Sequence, residues 1–142
     1  MRIKKWWIIP PGLALLGSLA APGWSQPKVV TLSTDMQSDP LVLQGTSGGS
    51  LSSDCGYISE QPSQTLELTE QFSYLRFQVE SEGEPTLLID GPGGRFCILG
   101  HKEAGEVPEM SGLWMPGTYN IYVGDRQHEA HPYRLSITER PN

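Results

Sequence analysis

Apolar and polar residues alternate through most of the second half of this chain. In Phe72-Ser73-Tyr74-Leu75-Arg76-Phe77-Gln78-Val79-Glu80, Leu75, Phe77 and Val79 fall on one side and Tyr74, Arg76 and Gln78 on the other. A period of two predicts a strand with one buried face and one open face. The pattern returns in residues 65–69, 118–123 and 133–138. Between them, Leu87-Leu88-Ile89 is a short apolar run that breaks at Asp90-Gly91-Pro92-Gly93-Gly94 and resumes at Phe96-Cys97-Ile98. That punctuation predicts two strands joined by a turn.

Leu41-Val42-Leu43 and Cys55-Gly56-Tyr57-Ile58 are shorter strand candidates, separated by the glycine-serine stretch 45–50. Residues 99–117 lose the alternation and read as a long loop anchored by Met110, Leu113, Trp114 and Met115. Sustained helical periodicity is absent throughout. The predicted fold is therefore all-β, a single antiparallel, jelly-roll-like β-sandwich over residues 40–142.

The first residues have a different character. Arg2, Lys4 and Lys5 precede an apolar run from Trp6 to Ala21, the layout of a secretory signal peptide. The run is shorter than the ~20 apolar residues a membrane span needs, and Pro10-Pro11-Gly12 interrupts it. Residues 1–25 are expected to be removed on export, leaving no membrane span and a periplasmic or extracellular protein. Residues 26–39 are polar and aperiodic, and are expected to form a flexible leader. Roughly 115 to 120 residues then remain, enough for one domain with one core.

Charge and cysteines narrow the function class. Ten Lys+Arg stand against sixteen Asp+Glu, a formal net charge of -6. Without Arg2, Lys4 and Lys5 the balance is seven against sixteen, about minus nine. Such a surface repels nucleic acid and anionic lipid. The two cysteines, Cys55 and Cys97, show no metal-binding spacing, so in an exported chain they are expected to form one disulfide.

The order of strands and turns resembles the bacterial pre-peptidase C-terminal domain, a small β-sandwich appended to many secreted proteases. Four segments carry the resemblance: Leu75-x-Phe77-x-Val79; Leu87-Leu88-Ile89-Asp90-Gly91-Pro92-Gly93-Gly94; Pro116-Gly117-Thr118-Tyr119-x-Ile121-x-Val123; and Tyr133-x-Leu135-x-Ile137. It spans most of residues 65–138. The resemblance implies a non-catalytic accessory or binding module with a protein or polysaccharide partner, a secreted protease among the candidates. Family members usually carry an acidic pair ahead of the strand matching Leu87-Leu88-Ile89, where this chain has Gly83-Glu84-Pro85-Thr86. A calcium site here would fall to Asp90 and Asp125 at strand ends, with Glu84 nearby, and would be weak. Asp90, beside Gly91-Pro92, serves equally well as a turn former. No other cofactor is expected.

Three further patterns bear on chemistry. Gly45-Thr46-Ser47-Gly48-Gly49 satisfies the G-x-S-x-G nucleophile pattern, and Ser47, Asp90 and His131 follow the chain order of an α/β-hydrolase triad. An elbow of that kind needs a helix behind it, and Ser50-Leu51-Ser52-Ser53-Asp54-Cys55 offers none. The expectation is no enzymatic activity; a small secreted hydrolase using Ser47 and a purely structural envelope protein are the rival readings. His128-Glu129-Ala130-His131 falls one residue short of the zinc motif H-E-x-x-H, so zinc on His128, His131 and Asp125 is the minor reading and no metal the default. Tyr74, Trp114 and Tyr122 are the aromatic candidates for ligand contact, whereas Tyr119 aligns with Ile121 and Val123 as core.

Overall fold

The computed structural model describes residues 29–141 together with Gly12. Apart from Gly12, the predicted signal peptide lies outside the described residues, as do residues 26–28 of the expected leader. The described strands are β1 (Val29–Leu32), β2 (Leu41–Thr46), β3 (Leu51–Ser53), β4 (Gly56–Ile58), β5 (Gln64–Leu68), β6 (Phe72–Ser81), β7 (Pro85–Gly91), β8 (Gly94–Leu99), β9 (Glu109–Trp114), β10 (Gly117–Asp125) and β11 (Pro132–Thr138). A single 3₁₀ turn, Lys102–Ala104, interrupts the connection from β8 to β9.

Two sheets result. One has four strands in the order β2-β11-β6-β9. In the other, β10 is central and pairs with β5, β7 and β4, while β1 lies outside β5, β8 outside β7 and β3 outside β4. The alternating residues meet between the sheets: Leu66, Leu87, Ile89, Ile121 and Val123 from the larger sheet, and Leu75, Phe77, Val79, Leu135 and Ile137 from the smaller, all buried. Each such side chain contributes roughly 1.5–3 kcal/mol of burial free energy.

β7 does not alternate, because both of its faces are covered. Leu87 and Ile89 face the main core, whereas Leu88 belongs to a second small cluster with Cys55 and Ile58, against which Cys97 and Tyr122 pack. A strand buried on both sides reads as a continuous apolar run. The cover is the β3–β4 hairpin, fastened by the expected Cys55–Cys97 disulfide with Cα atoms 5.7 Å apart. Thr86, buried beneath the hairpin, donates its hydroxyl hydrogen to the Cys55 carbonyl at 2.6 Å. Arg95 of β8 grips Asp54 in the hairpin turn through two hydrogen bonds of 2.7 and 3.1 Å, which hold the Asp54 carboxyl below its ordinary range.

Three expectations are corrected here. Residues 109–114 of the expected long loop form β9, an edge strand paired with β6. That pairing sets Trp114 opposite Phe72 on the inner face, so Trp114 is 4% exposed and not the surface aromatic anticipated. Its ring stacks on Phe77 at 4.3 Å and meets Tyr119 edge-on, and its indole N–H donates to the Leu75 carbonyl at 3.2 Å. Within the expected leader, β1 pairs in parallel with β5 and buries Leu32, so the strand pairing is not wholly antiparallel.

Candidate functional site

The glycine-serine motif forms a corner between the sheets. β2 belongs to the four-stranded sheet and β3 to the larger one, so the chain crosses at residues 47–50. The crossing is pinned from both sides: Ser47 N–H donates to the His131 carbonyl at 2.7 Å, and Gly48 N–H to the Val123 carbonyl at 3.0 Å. Gly48 has φ +85, and a Cβ there would collide with the Glu129 carbonyl, so glycine is required by both backbone and space. Ser47 itself is 1% exposed. Its hydroxyl oxygen accepts the His131 main-chain N–H at 3.2 Å.

Beside this corner the β10–β11 connection folds back and brings Asp125 to His131. The carboxylate of Asp125 is fully buried, with one oxygen accepting Gln127 N–H at 2.8 Å and the other 3.0 Å from His131 Nδ1. Nε2 of the same imidazole faces Glu129 Oε2 at 3.4 Å. The pair packs under Gly83, whose α-carbon leaves no room for a side chain over Asp125 Oδ2 and His131 Nδ1. A buried carboxylate is tolerated when hydrogen-bonded in this way.

The arrangement brings together a serine, a histidine and carboxylates without forming a relay. A triad needs one imidazole nitrogen on the acid and the other on the nucleophile. Here both ring nitrogens of His131 face carboxylates, and Ser47 meets only the histidine backbone. Asp90, the acid suggested by chain order, is elsewhere.

Asp90 pairs with Asn120 and Asp125 with Pro85, at opposite ends of the β7–β10 ladder. Five residues of strand put them roughly 17 Å apart, so the two aspartates that a calcium ion would have called on do not form a joint site. His128 stacks on Tyr57, the residue opposite Asp125 in the β4–β10 pairing, with centroids 4.5 Å apart. Among the described residues, no group of three or more His, Cys, Asp or Glu is placed to hold a metal ion. Glu84 lines a cleft of about 210 Å³ next to Gly83, with Lys102 and Arg126 on its rim. Tyr122 is half-buried against the hairpin cluster, and Tyr74 half-buried on the outer face of the four-stranded sheet. Sequence reasoning missed Glu129 and Gly83, and it did not foresee that residues 126–130 fold Asp125 onto His131.

Two packed sheets, one of them carrying a disulfide-fastened hairpin, make the described residues a β-sandwich. The fold matches the pre-peptidase C-terminal domain of a collagenase from Bacillus anthracis with a TM-score of 0.51, covering 80% of this chain and 97% of that domain. At 14% sequence identity, that likeness is one of fold. The chain belongs to the same family as an uncharacterized protein of Synechococcus elongatus, to which it is 48% identical over 108 residues, 73% of this chain and 79% of that protein. It matches no family model.

Proposed function

We propose that this chain is an exported, non-catalytic accessory module that holds a protein or polysaccharide partner without transforming it. The observation that carries this reading is the engagement of Ser47. Its hydroxyl is buried against the His131 backbone, while the imidazole beside it is flanked by Asp125 and Glu129. A nucleophile needs a base within hydrogen-bond reach and an open approach, and this serine has neither. The Cys55–Cys97 bond fits an oxidising compartment, and removal of residues 1–25 on export belongs to the same proposal. No helix among the described residues is long and apolar enough to cross a membrane.

The test is a panel of ester, peptide and glycoside substrates offered to the purified protein and to Ser47→Ala. No turnover by either is expected, with the variant folded. Turnover by the parent that is lost in Ser47→Ala would overturn the proposal in favour of a small hydrolase.

A further inference from the structure

The free edges of the two sheets are not alike. β1 has four residues and β3 three. β2 follows Pro40, and its Gln44 carbonyl accepts the Gln64 side-chain amide at 3.4 Å. β9 is broken by a register shift against β6 and by Gly112 at φ +142. Short strands, prolines and bulges keep a sheet edge from pairing with another chain. β8 has none of them. Its six residues run in unbroken register against β7, from Leu99 opposite Thr86 to Gly94 opposite Gly91, and include no proline, lysine or carboxylate. Its one charge, Arg95, is taken by Asp54.

The registers show which main-chain groups of β8 are open. Val123 N–H donates to Ser63 Oγ at 3.0 Å and the Val123 carbonyl accepts Gly48 N–H, so these groups point away from β7. Hydrogen-bonding direction alternates along a strand. Tyr122 therefore turns toward Leu88, Leu87 and Ile89 turn toward β8, and Ile98 and Phe96 opposite them turn back. Arg95, Cys97 and Leu99 are left with N–H and C=O directed outward, and among the described residues no hydrogen bond reaches those groups. Phe96 lies on the core side opposite Ile89 and is still 42% exposed, and Leu99 is 41% exposed.

We propose that β8 pairs antiparallel with β8 of a second copy of this chain, about a two-fold axis at Cys97. The inference is independent of the binding-module reading. The outward residues are symmetric about Cys97, so this register sets Arg95 opposite Leu99 of the second copy and gives every outward N–H and C=O a partner. Phe96 then faces Ile98 of the second copy in the closer, non-hydrogen-bonded type of pair, where an aromatic and a β-branched side chain pack well. No like charges stand opposite each other. Because β8 lacks carboxylates, it is also the edge at which two chains of net charge -6 meet with least repulsion. Such a pairing is closed, and joins the larger sheets of two molecules into one. One strand edge is a small interface, at or below about 1,200 Å², so monomer and dimer exchange with concentration.

The experiment is sedimentation velocity of the purified protein from about 5 µM to about 1 mM, with amide exchange at both ends of that range. A monomer that passes into a dimer and no further is expected, with the dimer strengthened as salt screens the net charge. The N–H groups of Arg95, Cys97 and Leu99 should gain protection with concentration, while those of Phe96 and Ile98 are protected throughout. Leu99→Pro removes an outward donor and no bond to β7. It and Phe96→Lys should each raise the dimer dissociation constant by about tenfold or more. Leu113→Lys, an exposed apolar position on β9, should leave it unchanged. Melting curves at the lowest concentration show which variants fold, and if Leu99→Pro does not, Phe96→Lys and the exchange pattern carry the test. A protein that stays monomeric to about 1 mM would overturn the proposal and leave this edge to a strand of another protein. So would a dimer indifferent to Phe96→Lys or broken by Leu113→Lys, and so would species that grow beyond the dimer, since they require pairing between unlike edges.

Discussion

The buried carboxylate of Asp125 lies 3.0 Å from Nδ1 of His131, and the pair fixes the connection that carries the chain from one sheet to the other. Asp125 ends β10 in the larger sheet, and His131 directly precedes β11 in the smaller. Replacing Asp125 with alanine removes the acceptor of Gln127 N–H and strands the imidazole beside Glu129. Destabilisation of about 2–4 kcal/mol is expected. Urea unfolding followed by circular dichroism measures it, and a change below 1 kcal/mol would mean that the pair is incidental.

Gly83 makes the second prediction. A methyl group at this position would overlap Asp125 Oδ2 and the His131 ring, so Gly83→Ala should cost about 1–3 kcal/mol by overpacking. Combined with Asp125→Ala, the loss should be less than additive, because the same pair is displaced in both variants. Full additivity in a double-mutant cycle would show that Gly83 acts elsewhere.

The disulfide closes a span of 42 residues. In the chain-entropy account, loss of such a link costs about 4 kcal/mol. Cys55→Ser with Cys97→Ser should lower the melting temperature accordingly. Amide exchange should speed up first in residues 51–58, since the hairpin then holds to β7 and β10 mainly through Ile58, Thr86 and the Arg95–Asp54 pair. Uniform loss of protection across both sheets would contradict the picture of a separately fastened cover.

Trp114→Ala should cost about 3–5 kcal/mol, because the ring fills the space between Phe77 and Tyr119 and satisfies its N–H on Leu75. Near-ultraviolet circular dichroism should lose most of its aromatic signal in this variant. A surface tryptophan would tolerate the change with almost no loss of stability.

Alkaline pH should unfold the protein through its buried phenols. Burial raises the pKa of Tyr133 and of Tyr119 above the ordinary value, partly offset at Tyr133 by hydrogen bonds from Gln64 and Ser63. For a group whose folded pKa is raised, the unfolded state releases its proton first. The stability contribution is complete below about pH 10 and is lost as pH rises through the folded value. Urea midpoints measured from neutral pH upward should fall beyond that point. A Tyr133→Phe variant should fall less steeply, and an identical slope would assign the effect to other groups.

β6, β10 and β11 were legible because each carries enough inward-facing apolar residues for the period to register, β7 because it is an unbroken apolar run ended by a turn, and the disulfide because only two cysteines occur. β9 was not legible. Its inward set is Met110, Gly112 and Trp114, and a glycine in the middle hides the alternation. β1 was hidden for another reason: its pairing partner is β5, more than thirty residues on, and four residues of valine, threonine and leucine carry little period of their own. The candidate site was less accessible still. Ser47, Asp125 and His131 were visible as residue types, but their relation depends on a sheet-to-sheet crossing and a folded-back connection that local patterns do not encode.

The hairpin over β7 also ties the surface chemistry of the molecule to its redox surroundings. What it covers is apolar, Leu88 with Ile58, and its fastening is a bond that a reductant can cut. In a reducing compartment the same chain would present a sticky sheet face that an oxidising one keeps closed.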